Sequence, residues 1–119
     1  MRLSDELRKR AKRYASGTVR FYVTLPHARK EVEVLAHQLL RSGTSVAAHA
    51  REASRARSDS EFCSKLDGLL QEADESQLWL ELLSEDCAGE KIEHLLAETS
   101  ELIAIFVTIV RKTRGRDRK

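Results

Sequence analysis

Apolar positions recur along most of this chain at steps of three and four residues, which is the period of an amphipathic α-helix. The first series starts at Leu3 and stops before Pro26. Ser4 is a residue type favoured at helix N-caps, whereas proline cannot continue a helix. The pattern therefore predicts a first helix near residues 4–25.

Two further apolar series follow. The earlier one has small residues at its centre and predicts a helix near residues 29–56, with a break at Gly43 as the alternative. The later one begins at Ser58, with Glu61 three residues on, and this pair has the pattern of a capping box. It predicts a third helix near residues 59–83.

A last series predicts a fourth helix near residues 89–113, followed by a frayed basic tail from about residue 114. A chain of 119 residues forms one domain, so a single domain over 1–119 is expected. Four helices with short connections fold most simply as an up-down-up-down antiparallel bundle. The predicted fold class is therefore an all-α four-helix bundle.

Composition sets the expected compartment. No apolar run is long enough to span a membrane, and no apolar segment of the signal-peptide kind follows the charged start of the chain. The two cysteines, Cys63 and Cys87, have no metal-binding spacing. These features predict a cytoplasmic protein with reduced thiols and no membrane partner.

Charge is distributed unevenly behind a net charge of +2. Residues 1–30 hold nine basic and two acidic side chains, whereas residues 58–87 hold one basic and nine acidic. In the predicted topology, the start of helix one and the ends of helices two and four share one end of the bundle. Their basic side chains would form a surface for the phosphates of RNA or DNA. The candidate nucleic-acid-binding residues are Arg8, Lys9, Arg10, Lys12, Arg13, Arg51, Arg55, Arg57, Arg111, Lys112 and Arg114.

Two other interpretations of the same charges stay open. The basic residues could form a solvated face, or they could pair with the acidic third helix of a neighbouring subunit. The second interpretation defines an alternative function, a protein-interaction scaffold whose basic and acidic faces serve self-assembly or a protein partner.

Surplus apolar surface predicts a homo-oligomer. The run LIAIFVTIV at residues 102–110 is apolar all round, and the third helix has a second apolar face. Every helix of a four-helix bundle has an outer side, so this apolar surface is expected to pack against another protein surface. The candidate interface residues are Leu78, Trp79, Leu82, Ile105 and Val107.

Catalytic patterns are missing from the sequence. None of the four histidines follows a glutamate by three residues, as a di-metal site in a helical bundle requires. There is no HExxH motif and no phosphate-cradling glycine loop. The sequence therefore predicts no enzyme, no bound metal and no cofactor.

Three motifs in the middle of the chain occur in a distinctive order. They are QLLRSGTSVAAHA at 38–50, EFCSKL at 61–66 and WLELL at 79–83. Together they resemble a bacterial four-helix-bundle family, the protein encoded within intervening sequences of the large-subunit ribosomal RNA gene. The chain departs from the family pattern at the turn, with His49 in place of Asn, Ala53 in place of Gly, and Arg55-Ala56 in place of Gly-Arg.

The resemblance implies an up-down bundle and a ring-like homo-oligomer, often a pentamer. It also implies kinship with the accessory variability protein of diversity-generating retroelements. RNA or DNA and a reverse transcriptase are the partners that this kinship suggests.

Overall fold

Four α-helices account for nearly all of residues 2–87 and 89–117, the part of the chain that the computed structural model describes. They are α1 (Asp5–Thr24), α2 (Lys30–Ser54), α3 (Asp59–Ser84) and α4 (Glu90–Asp117). Each helix packs against the next, and α4 returns to α1, where the contact is least extensive. The predicted up-down-up-down bundle is confirmed. It is 53 Å long and about 20 Å across.

The N-terminal caps are those expected from the sequence. Ser4 Oγ accepts a hydrogen bond from the Leu7 N–H at 3.1 Å, and Ser58 Oγ accepts one from the Glu61 N–H at 3.0 Å. The first three helices begin and end within two residues of their predicted bounds. Helix α2 runs without a break through Gly43.

The end of α4 differs from the prediction. The helix continues to Asp117, beyond the end near residue 113 that the apolar pattern predicts. Thr113 is buried, and the Arg114 guanidinium lies 2.6 Å from the Asp67 carboxylate of α3. These tertiary contacts stabilise the last turn of α4, whose sequence is otherwise polar. Residues 118–119 lie outside the described part of the chain.

Two buried polar pairs cross the apolar core. Tyr14 Oη and Thr99 Oγ1 are 2.6 Å apart and join α1 to α4, while Ser42 Oγ and Ser76 Oγ are 2.7 Å apart and join α2 to α3. Buried polar atoms need such partners, so each pair favours one alignment of its two helices.

Arg2 fixes the start of the chain beside the α2–α3 turn. Its backbone N–H donates to the Ser54 carbonyl at 3.2 Å, its Nε donates to the Ala56 carbonyl at 2.9 Å, and its Nη1 lies 2.6 Å from Asp59 Oδ1. The start of α1, the end of α2 and the start of α3 therefore lie at one end of the bundle. The Arg114–Asp67 pair places the end of α4 there too.

Candidate nucleic-acid interface

A groove between the first half of α1 and the last half of α2 holds much of the predicted basic set. Ala47 and Ala50 form part of its lining, and their small side chains leave space between the helices. We call this surface the α1/α2 groove. Its charged residues are Asp5, Arg8, Lys9, Lys12, Arg51 and Arg55.

Helical periodicity explains why these side chains meet. Arg8 and Lys12 are four residues apart on α1, and Arg51 and Arg55 are four apart on α2. Residues at this spacing lie one above the other on the same helix face. Two short basic rows from antiparallel helices therefore border the same depression.

The basic surface continues over the outside of α2. A shallow depression between α2 and α3 shares Arg51 and Arg55 with the α1/α2 groove and adds Arg57 and Lys65. Lys65 is absent from the sequence-based set because it lies in a strongly acidic segment. Its Nζ lies 3.1 Å from Glu52 Oε2, so part of its charge is balanced.

The basic side chains of the α1/α2 groove differ in whether a carboxylate pairs with them. Asp5 pairs with Lys9 at 2.9 Å and with Arg8 at 3.4 Å. The hydrogen bond from Lys9, with the charges of Lys9 and Arg8, lowers the pKa of the Asp5 carboxyl below its ordinary value. Lys12 and Arg55 have no carboxylate partner among the described residues, and the same holds for Arg51. The groove thus presents unbalanced positive charge.

Arg10 and Arg13 lie on a different side of α1. The Arg10 guanidinium donates two hydrogen bonds to the Glu98 carboxylate, at 2.9 and 2.6 Å, and lies 3.3 Å from Glu101. The bonds from Arg10 lower the pKa of Glu98. Arg13 borders the α1/α4 seam together with Arg20. The structure therefore places these two predicted residues outside the α1/α2 groove.

The predicted residues of α4 form a third location. Arg114 pairs with Asp67, and Arg111 and Lys112 are exposed. None of the three lines the α1/α2 groove. The single basic end expected from topology is thus divided among four helix seams, namely α1/α2, α2/α3, α1/α4 and α3/α4, and the α1/α2 groove is its densest part.

Several carboxylates of α3 are occupied within the chain. Asp59 pairs with Arg2, and Asp67 pairs with Arg114. Arg41 lies 3.6 Å from Glu72 and 3.9 Å from Glu75. Because these acids already face cations of their own chain, α3 offers less acidic surface to a neighbouring subunit than its composition suggests.

The five candidate interface residues do not share one face. Leu78 is 47% exposed, and Trp79 and Leu82 beside it are half-buried. Trp79 Nε1 is buried with no acceptor in the described part of the chain. Ile105 and Val107 are half-buried, and their spacing of two residues directs them to opposite sides of α4.

Within residues 2–87 and 89–117, no group of three or more His, Cys, Asp or Glu side chains has an arrangement suited to a metal ion. None of the helices in those ranges combines the length and the apolar character needed to cross a membrane.

The fold and the groove define a four-helix bundle with a basic surface between α1 and α2. A model of the 23S rRNA-intervening sequence protein family matches residues 5–108. The chain belongs to this family, and the resemblance found in the sequence is confirmed.

Among the solved structures similar to this chain is one that matches over most of its length. It is the crystal structure of a protein of unknown function from the S23 ribosomal protein family of Bacteroides thetaiotaomicron. The two share 32% sequence identity with a TM-score of 0.79, and the match covers 87% of this chain and 96% of the other. No curated protein matches this chain at a significant level.

Proposed function

We propose that this protein is a non-enzymatic, self-associating helical bundle that binds the phosphate backbone of RNA or DNA through the α1/α2 groove. The observation that carries the proposal is the unbalanced charge of Lys12, Arg51 and Arg55, which border one depression without carboxylate partners in the described chain. Cations that neutralise phosphates release counterions, which drives association independently of base sequence.

Two further observations support nucleic acid over pairing between subunits. Asp59, Asp67, Glu72 and Glu75 of α3 are engaged inside their own chain, so they do not supply the acidic face that subunit pairing needs. The family description also links these proteins to ribosomal RNA genes. RNA is therefore the first ligand to test.

The α1/α2 groove lacks the means for base readout. Its polar lining is mostly lysine and arginine, and none of the described residues that line it is an aromatic on which a base could stack. Contacts to phosphates fix position but carry no sequence information. The proposed binding is accordingly weak in sequence preference and strong in salt dependence.

The test is charge reversal in the groove. Arg51→Glu with Arg55→Glu should weaken binding of a labelled single-stranded RNA, measured by fluorescence anisotropy at low salt. The matched control is Arg20→Glu with Lys91→Glu, which makes the same change in net charge at the α1/α4 seam. The groove variant should lose at least about tenfold more affinity than the control, since two phosphate contacts disappear.

Equal losses in the two variants would show that only net charge matters and would overturn the groove as the site. A wild-type protein that binds neither RNA nor DNA at low salt would overturn the function itself.

A gain of binding gives a second test. Among the described residues, Asp5 is the one carboxylate that lines the α1/α2 groove, and its lowered pKa keeps it ionised. Asp5→Asn removes the repulsion between this carboxylate and an RNA phosphate, so it should tighten RNA binding by a factor of about three at low salt. A misfolded variant cannot give this result, so the outcome separates electrostatics from damage to the fold.

An interaction scaffold is the second candidate function, favoured by the exposed Leu78 beside Trp79. Under this proposal, light scattering across a salt series should show a change in oligomer mass, and added RNA should leave that mass unchanged. A mass that is independent of salt would contradict the scaffold.

A further inference from the structure

Two buried polar atoms lie beneath the α1/α2 groove without hydrogen-bond partners in the described chain. They are Ser54 Oγ and Arg8 Nε. Both residues line the groove, and Ser54 is only 3% exposed. A buried donor without a partner is destabilising, so it calls for an explanation such as a bound group.

The chemistry of these atoms selects the kind of group. An arginine Nε–H can only donate, and a serine hydroxyl can donate. Lys12, Arg51 and Arg55 surround the same depression with unbalanced positive charge. A group that fits must therefore carry several acceptor oxygens and negative charge in a small volume. A phosphate group has these properties.

We infer that the floor of the α1/α2 groove is a binding seat for one phosphate group, with Ser54 Oγ and Arg8 Nε as its two inner donors. The identity of the ligand rests on the proposed function, since a nucleic acid supplies the phosphate either as an internal diester or as a terminal monoester. Asp5 Oδ1 lies 3.4 Å from Arg8 Nη2, whereas Arg8 Nε has no hydrogen-bond partner among the described residues.

Access to the seat requires a small movement. Because both atoms are buried, a phosphate reaches them only when the long basic side chains of the groove change rotamer. Exposed side chains make such changes within nanoseconds. Lys12 and Arg51 are exposed, so the backbone can keep its position while the groove opens.

The seat is tested by removing one hydroxyl. Ser54→Ala should weaken binding of inorganic phosphate, measured by calorimetry at low salt, by about tenfold, as expected for the loss of a hydrogen bond to a charged group. Ser64→Ala is the matched control, because Ser64 is exposed on α3 outside the groove. Arg8→Lys is the second variant; it keeps the charge but removes Nε, and it should give a similar loss.

Oligonucleotides identify the source of the phosphate. If the seat takes a terminal monoester, a 5′-phosphorylated RNA should bind the wild type more tightly than its 5′-hydroxyl counterpart, and Ser54→Ala should remove that advantage. If it takes an internal diester, Ser54→Ala should weaken both RNAs equally.

Different experimental results would overturn the phosphate seat and the proposed function. Unchanged affinity of Ser54→Ala for phosphate and for both RNAs would overturn the seat, even if Arg51→Glu with Arg55→Glu abolishes RNA binding. Phosphate binding that depends on Ser54, in a protein that binds no RNA or DNA, would support the seat and overturn the proposed function.

Discussion

Gly43 of α2 lies directly against the side chain of Thr18 of α1. A Cβ atom placed on Gly43 would be 2.6 Å from Thr18 Cγ2 and 2.8 Å from Thr18 Oγ1. Both residues are fully buried or nearly so, and Thr18 Oγ1 is held by donation to the Ala15 carbonyl at 2.7 Å. This close approach sets the spacing of α1 and α2, and with it the separation of the two groove walls.

Gly43→Ala is therefore expected to destabilise the bundle. Overpacking costs about 1–3 kcal/mol, and the better helix propensity of alanine offsets about 1 kcal/mol of that. Urea unfolding should show a net loss of about 0–2 kcal/mol in the free energy of unfolding. The double variant with Thr18→Ala should lose less than the sum of the single variants. Strict additivity would contradict the contact.

Arg10 and Lys12 should have separable roles although they lie two residues apart on α1. Arg10→Met removes the pair with Glu98 and should lower stability by about 0.5–1 kcal/mol while leaving RNA affinity nearly unchanged. Lys12→Met should leave stability unchanged and reduce the slope of log affinity against log salt by about one. Thermal unfolding and anisotropy on both variants check this, and a large loss of RNA binding in Arg10→Met would contradict the assignment.

The α1–α2 connection should give the bundle a pH-dependent increment of stability. His27 hydrogen-bonds to the Glu33 carboxylate and to the Tyr22 backbone carbonyl. These bonds, the one to Glu33 foremost, raise the pKa of His27 above 6.5. Its contribution is complete below that ordinary value and disappears as the pH rises through the raised pKa.

Glu33 behaves in the opposite sense, because the hydrogen bond from His27 lowers its pKa below 4.5. Its contribution is present above that value and disappears as the pH falls through the lowered pKa. His27→Gln should thus lower the melting temperature most between pH 4.5 and 6.5. The difference from wild type should shrink above that window. A difference that grows with rising pH would contradict this linkage.

Leu78 offers a direct test of self-association. Because its side chain is 47% exposed, Leu78→Asp should leave the bundle folded while reducing the mass of the oligomer in sedimentation experiments. Gln71→Asp, also exposed on α3, is the control and should keep the wild-type mass. A wild-type protein that stays monomeric at high concentration would refute the interface.

Much of the fold follows from local sequence signals. Apolar spacing and the serine caps predict α1, α2 and α3 to within two residues, because those signals act within a few residues of each helix end. The end of α4 does not follow, since it depends on Thr113 and on the Arg114–Asp67 pair across the bundle. Local patterns carry no information about such contacts.

The candidate site, like the fold, could be predicted from the sequence only in part. Topology brings the basic segments to one end, and the two-residue spacing of Arg8 and Arg10 already directs them to opposite sides of α1. Which neighbour each side meets depends on how the helices are rotated, so the pairing of Arg10 with Glu98 could not be predicted. No sequence pattern indicated Ser54 as a binding residue, because serines are common near helix ends.

Lysine footprinting is the sharpest test of RNA binding in the α1/α2 groove, because the protein carries its own control lysines. Lys9 and Lys12 lie in the α1/α2 groove, while Lys30 and Lys91 lie elsewhere and are exposed. Acetylation rates would be measured by mass spectrometry with and without single-stranded RNA at low salt. RNA bound in the groove should slow acetylation of Lys9 and Lys12 and leave the rates of Lys30 and Lys91 unchanged. Equal protection of all four, or protection of Lys30 and Lys91 alone, would contradict binding in the groove.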